Sequence, residues 1–304
     1  MAFEVTILGN SSASPTLNRH PSGQYLNICD NHILIDCGEG TQMQLQRYKI
    51  KKSKLSHIFI SHVHGDHILG LPGLLLSMNL MKHEQPVNVY GPKELFEILD
   101  VFFKHSETDF SFPLIYHAVD PNEQTIVLEN LYFRVKSFPL YHRVPTIGYL
   151  LEERFMLKKL NVDACQKLKV PFTHFNDIKM GKDYITADGK KIKNEELTFP
   201  STRPISYAYC SDTIFDERVI KAIEDADYLY HESTFMHDKL DRAIKTMHTT
   251  AKQAGIVAKE ANVNQLLIGH FSSRYEDLTP LLEEAKSEFP NTRLALEGST
   301  FILE

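Results

Sequence analysis

No stretch of this chain approaches the roughly 18 consecutive apolar residues that a membrane span requires. The amino terminus, MAFEVTILGN, also lacks the basic n-region and apolar h-region of a secretory signal. A cytoplasmic protein with no membrane partner is the expectation. Cysteine is scarce. Cys29, Cys37, Cys165 and Cys210 show no C-x-x-C spacing, so they are expected to stay reduced and none is needed as a ligand. A positive surplus is missing as well, because the net charge of −6 argues against a surface that binds nucleic acid everywhere. Nothing reads as disordered or fibrous. With 304 residues, 42% of them hydrophobic and 24% charged, the chain can bury one large core or two tightly packed halves.

What the chain does contain is concentrated at Ser61 to His67, S-H-V-H-G-D-H, directly behind the apolar run Ile58 to Ile60. Three imidazoles and a carboxylate in six positions suit zinc and exceed what one ion takes from a single extended segment, so two ions are expected. Gly65 fits a loop that wraps a cation if it takes positive φ.

Charge is unevenly placed. Between Arg154 and Lys193 stand ten basic residues (Arg154, Lys158, Lys159, Lys167, Lys169, Lys179, Lys182, Lys190, Lys191, Lys193) against four acidic ones (Asp163, Asp177, Asp183, Asp188). That segment carries +6 and leaves −12 on the remainder. A basic excursion on an acidic body steers a polyanion to one place, although a solvated insertion has the same composition.

Strands are expected at Phe3 to Leu8, in a Tyr25 to Asp36 hairpin turned by Asp30-Asn31, and at Ile58 to Ile60, Val87 to Tyr90, Thr125 to Leu128 and Tyr132 to Phe138. Helical spacing marks Gln42 to Tyr48, Leu69 to Met81 and Pro92 to Lys104. The basic segment, with Pro171 and the Asp188-Gly189 turn, interrupts this rhythm. It resumes with strands at Ile205 to Cys210, Tyr228 to Tyr230, Gln265 to Ile268 and Arg293 to Leu296, and helices at Glu217 to Glu224, Thr249 to Asn262 and Thr279 to Phe289. Two β-rich halves flanked by helices suggest an α/β protein of the αββα sandwich type, one domain over 1–304 with an inserted arm at 154–193.

Further ligand types end the later strands: His142 after Phe138, Asp212 in C-S-D-T, and His270 in I-G-H-F-S. Seven groups suit two zinc ions, with His62, His64 and His142 on the first, Asp66, His67 and His270 on the second, and Asp212 bridging. His231-Glu232 closes another strand, and His248 precedes a helix. A histidine held by a carboxylate can donate a proton, so His248 with Glu232 is a candidate general acid. Surface positions are the default for the other eight histidines, including His57, His105 and His237.

The chain resembles the metallo-β-lactamase superfamily and, within it, the short form of the ribonuclease Z family of tRNA 3′-processing endonucleases. The resemblance is carried over nearly the full length by L-I-D-C-G-E-G at Leu34 to Gly40, S-H-V-H-G-D-H, G-L-P-G-L-L at Gly70 to Leu75 and Y-G-P at Tyr90 to Pro92. H-E-S-T at His231 to Thr234, H-T-T at His248 to Thr250 and H-F-S-S-R-Y at His270 to Tyr275 extend it. H-E-S-T and H-T-T resemble the family's H-E-A-T and H-S-T motifs, which separate it from glyoxalase-type and lactamase-type relatives. The resemblance implies a metallo-β-lactamase αββα fold and two Zn2+ per subunit, with Mn2+ tolerated by the same ligands. It implies a homodimer acting on precursor tRNA, and a flexible arm serving as an exosite for the tRNA elbow. Asp66 would orient or deprotonate the nucleophile, and His248, oriented by Glu232, would protonate the departing 3′ oxygen. Arg19, Ser272, Arg274 and the arm lysines Lys158, Lys159, Lys167, Lys169, Lys179 and Lys182 would touch RNA.

There are departures. The family's P-x-K-x-R-N loop reads P-T-L-N-R-H at Pro15 to His20, and the arm's Gly-Pro is replaced in V-P-F-T-H-F at Val170 to Phe175. These bear on how the acceptor end is gripped and on rejection of CCA-bearing tRNA. Two alternatives remain at this point: a small phosphodiester hydrolase or arylsulfatase of the same superfamily, and a non-catalytic RNA-binding scaffold.

Overall fold

The structure, a computed structural model, describes residues 3–154, 158–199 and 203–304. Residues 155–157 of the basic segment lie outside it. In chain order the first half runs β1 (Phe3–Gly9), β2 (Gly23–Ile28), β3 (Asn31–Cys37), α1 (Thr41–Arg47), β4 (Leu55–Phe59), α2 (Gly65–Ile68), α3 (Gly70–Leu80), β5 (Val87–Gly91), α4 (Lys93–His105), β6 (Leu114–Ala118), β7 (Thr125–Glu129), β8 (Phe133–Tyr141) and β9 (Pro145–Glu153). The basic segment holds α5 (Val162–Lys167), α6 (Phe175–Lys179), β10 (Tyr184–Ile185) and β11 (Lys191–Ile192), and α7 (Asn194–Leu197) follows it directly. The remainder is β12 (Ser206–Cys210), α8 (Glu217–Ala222), β13 (Tyr228–Glu232), α9 (Leu240–Thr246), α10 (Ala251–Glu260), β14 (Gln265–Gly269), α11 (Thr279–Glu288), β15 (Thr292–Leu294) and β16 (Thr300–Leu303).

Two seven-stranded sheets form, in the orders β16-β1-β2-β3-β4-β5-β6 and β15-β14-β13-β12-β9-β8-β7. Their strands read as nearly continuous apolar runs because each sheet is covered on both faces. Alternate side chains divide the burial: Ile33, Ile35 and Phe59 join Val135, Tyr149, Tyr207 and Leu267 between the sheets. Leu34 and Ile58 point the other way, against Leu45, Leu74 and Leu95 of α1, α3 and α4. On the second sheet Ala208, Leu229 and Leu266 meet Val219, Ala254 and Leu281 of α8, α10 and α11. The result is the expected αββα sandwich. Among the described residues no helix is long and apolar enough to cross a membrane.

Three local expectations are corrected. The β2–β3 turn is Cys29-Asp30, both at positive φ (51° and 64°), while Asn31 opens β3 and its amide donates to the Ile28 carbonyl at 2.9 Å. Gly65 is not in the positive-φ set; it starts α2, so Asp66 and His67 lie on a helical turn rather than in an open loop. His32 and His83, left to the surface by default, are buried, and His57 packs beside Tyr90 and Phe133.

Strand β9 was hidden in the sequence by Pro145 and Gly148. Pro145 is the first residue of the strand, where Pro is tolerated, and a Cβ at Gly148 would collide with the Phe138 ring. Together with α7, the basic segment closes a small core from Cys165, Val170, Ile178, Tyr184, Ile192 and Leu197. Its two roots meet, since the Glu153 amide donates to the Ile205 carbonyl at 2.9 Å.

Candidate metal centre

Strands β3, β4 and β5 run parallel in one sheet, and β12, β13 and β14 run parallel in the other. Their carboxyl ends open on one edge of the sandwich, the general place for a site in such sheets. Asp36 is the penultimate residue of β3, Ser61 to His67 follow β4, Asp212 follows β12, Glu232 ends β13, and His270 follows β14. His142 enters from the β8–β9 turn.

All seven expected ligands converge. His62, His64, His142 and Asp212 form one group and Asp66, His67 and His270 another, each with its ligand atoms within 4.8 Å of one another. Asp212 faces both. Its Oδ2 lies 3.7 Å from His62 Nε2 and 3.6 Å from His142 Nε2, and its Oδ1 lies 3.3 Å from His67 Nε2 and 3.1 Å from His270 Nε2. Donors bound tetrahedrally at ~2.0 Å lie about 3.3 Å apart, so these spacings match edges of two coordination polyhedra sharing one carboxylate.

The hydrogen-bond network decides which nitrogen each ring offers. The Ser61 hydroxyl donates to Asp36 Oδ2 at 2.9 Å and accepts from His62 Nδ1 at 3.0 Å. His67 Nδ1 donates to Asp36 Oδ2 at 2.8 Å, and His142 Nδ1 to the Met247 carbonyl at 2.8 Å. His270 Nδ1 donates to Thr234 Oγ1 at 3.0 Å. Each ring proton points outward, leaving four Nε2 lone pairs to converge. Two of these, His67 Nε2 and His142 Nε2, are shut from solvent with no hydrogen bond at all. Orphaned acceptors beside carboxylates fit a pair of divalent cations.

Electrostatics agree. Burial, reinforced by His67, pushes the His62 imidazole well below its ordinary pKa, and burial lowers His142 too, so both are in the neutral ligand form. Burial opposes charge on His67 as well, but Asp66, Asp36 and Asp212 outweigh it and raise its pKa well above the ordinary value, so a cation at its Nε2 would take the place of a proton that the same carboxylates attract. Asp66 and Asp212 are held far below the carboxylate range, as the surrounding imidazoles overcome their burial. This cluster attracts cations.

Asp36 was quoted in the sequence only as part of a motif. It is fully buried and accepts four bonds, from Ser61 N at 2.7 Å, Ser61 Oγ at 2.9 Å, His67 Nδ1 at 2.8 Å and Tyr209 Oη at 2.7 Å. The legible signal was an acidic residue at the end of an apolar strand. Asp36→Asn should weaken metal affinity ~10–100-fold through His67. Chelator competition checks this, and unchanged affinity would deny Asp36 that role.

Glu232 and His248 meet as expected, with His248 Nδ1 donating to Glu232 Oε1 at 2.8 Å. The same carboxylate accepts from Thr213 N at 3.1 Å, next to Asp212, and from Thr234 Oγ1 at 2.6 Å, which holds His270. Burial lowers the His248 pKa, yet Glu232, with help from Asp212 and Asp66, raises it to about 9. His231 is buried and donates to the Glu232 carbonyl at 2.8 Å, a backbone tie.

A profile of the family described as "Anti-Pycsar protein Apyc1" matches residues 3–158. It takes in His62 to His142 and stops before Asp212, Glu232, His248 and His270. Full-length relatives reach further. "Ribonuclease Z" of Bacteroides fragilis is 45% identical over 97% of this chain and 97% of its own. "Ribonuclease Z" of Cytophaga hutchinsonii is 46% identical over 99% of this chain and 96% of its own. This chain belongs to the ribonuclease Z family. The crystal structure of human tRNase Z, short form, superposes with a TM-score of 0.74 at 25% identity, covering 99% of both chains.

Within this family member the remaining predicted contacts fall into two places. Ser272 joins Arg19, whose Nη2 donates to the Ser272 carbonyl at 3.3 Å, and Arg274, whose Nε donates to Ser272 Oγ at 3.1 Å. Lys158, Lys159, Lys167, Lys169, Lys179 and Lys182 lie in the basic segment and not in the cleft lining. Of the two departures in the amino-terminal loop, Leu17 is fully exposed, and His20 is tied through its amide and Nδ1 to Glu297.

Proposed function

We propose that this protein is a metal-dependent endoribonuclease that removes the 3′ trailer from precursor tRNA, leaving a 3′ hydroxyl on the tRNA and a 5′ phosphate on the trailer. The carrying observation is the Glu232–His248 pair at 2.8 Å on the edge of a seven-ligand cleft. A leaving alkoxide needs a proton, and this pair stores one beside the cleft. Two Zn2+ per chain, or Mn2+ in the same donors, would be held by His62, His64 and His142, by Asp66, His67 and His270, and by Asp212 between them. When bound, two such ions supply an activated water and neutralise charge on the phosphate.

The chain's own residues do the rest. Asp66 Oδ2 is fixed by the Ala13 amide at 2.8 Å, which positions the carboxylate to orient the attacking water. His248, with Nδ1 engaged by Glu232, delivers its other proton to the departing 3′ oxygen. Thr234 and Thr213 hold Glu232 in place for that transfer.

The segment 154–193 is the arm of this reading, an exosite for the tRNA body on an enzyme that acts as a homodimer. Its lysines supply a phosphate-binding surface. Exposed Met43, Leu80, Met81, Ile98, Val101 and Phe102 on the α1/α3/α4 layer supply apolar area for a second copy. Because Glu153 and Ile205 are hydrogen-bonded to each other, excising residues 154–204, the arm and the eleven residues after it, leaves ends that a short turn can join. The excised enzyme is expected to lose tRNA affinity by about 10²-fold or more at physiological salt while hydrolysing bis(p-nitrophenyl) phosphate at the parent rate. Equal loss on both substrates would remove the exosite from the account.

A further inference from the structure

The cleft at the metal centre has a volume of ≈ 290 Å³ and is lined by Ser12, Ala13, His64, Gly65, Asp66, Leu69, His142, Arg143, Asp212 and His248. Arg143 is its one permanent side-chain cation. It rises from the β8–β9 turn, whose base is closed by the Tyr141–Pro145 pairing, by His142 Nδ1 donating to the Met247 carbonyl at 2.8 Å, and by Ile214 N donating to the Tyr141 carbonyl at 3.0 Å. The turn is therefore fixed while the side chain is exposed. Among the described residues no carboxylate pairs with its guanidinium; Arg47, Arg242, Arg274 and Arg293 also lack an acidic partner, but of the arginines only Arg143 lines this cleft.

An exposed guanidinium with no carboxylate beside it, at the rim of an anionic-substrate cleft, is available to a bound anion. The two carboxylates lining the cleft, Asp66 and Asp212, are committed to the ligand sets, which leaves Arg143 free for the substrate. The planar fork of donors matches two phosphate oxygens, and their charge grows as the phosphorus becomes five-coordinate.

We infer that Arg143 is a catalytic residue that clamps non-bridging oxygens of the scissile phosphate, on the rim beside His64 and His142. The inference rests on the phosphodiesterase reading and deepens it. It does not require the substrate to be tRNA, because any diester cut in this cleft presents the same oxygens.

The test uses the zinc-loaded full chain as wild type, Arg143→Ala and Arg143→Lys, assayed on bis(p-nitrophenyl) phosphate and on precursor tRNA. Zinc content is measured alongside, with calorimetric binding of inorganic phosphate. Arg143→Ala should lower kcat on both substrates by ~10²–10³-fold, weaken phosphate binding and keep its zinc. Arg143→Lys should fall between, and added guanidinium should restore part of the alanine variant's rate. Loss of zinc in Arg143→Ala would make the role structural and overturn the inference. Loss on tRNA alone would move the contact to a flanking phosphate and also overturn it, as would unchanged kinetics. If wild type hydrolyses the small diester but leaves precursor tRNA intact, the tRNA reading fails while the Arg143 comparison still stands on the diester.

Discussion

Asp212→Ala will lose bound metal and diester hydrolysis together, with activity falling by roughly three to four orders of magnitude. The reason is geometric. Asp212 turns Oδ2 toward His62 and His142 and Oδ1 toward His67 and His270, so one side chain serves both donor groups. It is also almost fully buried, so its removal leaves four convergent imidazoles without the charge between them. Mass-spectrometric metal content of the variant should drop below that of His64→Ala, whose half-exposed ring serves one group only. An Asp212→Ala protein that keeps its full metal complement would contradict the bridging role.

His248→Ala will slow cleavage of precursor tRNA by ~10²–10⁴-fold and bis(p-nitrophenyl) phosphate by far less. A ribose 3′ oxygen is a poor leaving group that must be protonated; a nitrophenolate leaves without help. A metal ligand would not discriminate in this way, so the ratio of the two losses separates the acid from the ligands. Glu232→Gln should give a milder version and move the alkaline limb of the rate profile to lower pH. The sign follows from the pair itself: Glu232 makes the largest contribution that raises His248 above its ordinary 6.5, and the acid works only below its pKa. In the metal-free protein the same pair stabilises the fold fully below pH 6.5, and that contribution disappears as pH rises through about 9.

Much of this was legible beforehand because the informative residues are short-range. The order S-H-V-H-G-D-H behind an apolar strand supplies four members of the cluster by itself, and His142, Asp212 and His270 were readable because each follows a strand that empties on the same edge. The sandwich was legible from two apolar-strand halves separated by a basic excursion. What stayed hidden depends on tertiary neighbours. Asp36 acts through Ser61, His67 and Tyr209, none adjacent to it in sequence. Thr234 matters because its hydroxyl lies between Glu232 and His270. Strand β9 was masked by Pro145 and Gly148, whose reasons are a strand start and the ring of Phe138. The hairpin register slipped by one because Cys29, rather than Asn31, takes the positive φ. Gly65 was assigned a backbone role where its turn is simply helical.

The most direct test of the central claim is to incubate the zinc-loaded protein with a precursor tRNA carrying a 3′ trailer and to map both product ends, in wild type and Asp66→Ala. A single cut after the discriminator base in wild type alone, with a 3′ hydroxyl on the tRNA and a 5′ phosphate on the trailer, is the predicted result. Intact precursor tRNA alongside hydrolysis of a small phosphodiester would contradict it and make the small-substrate hydrolase the better account.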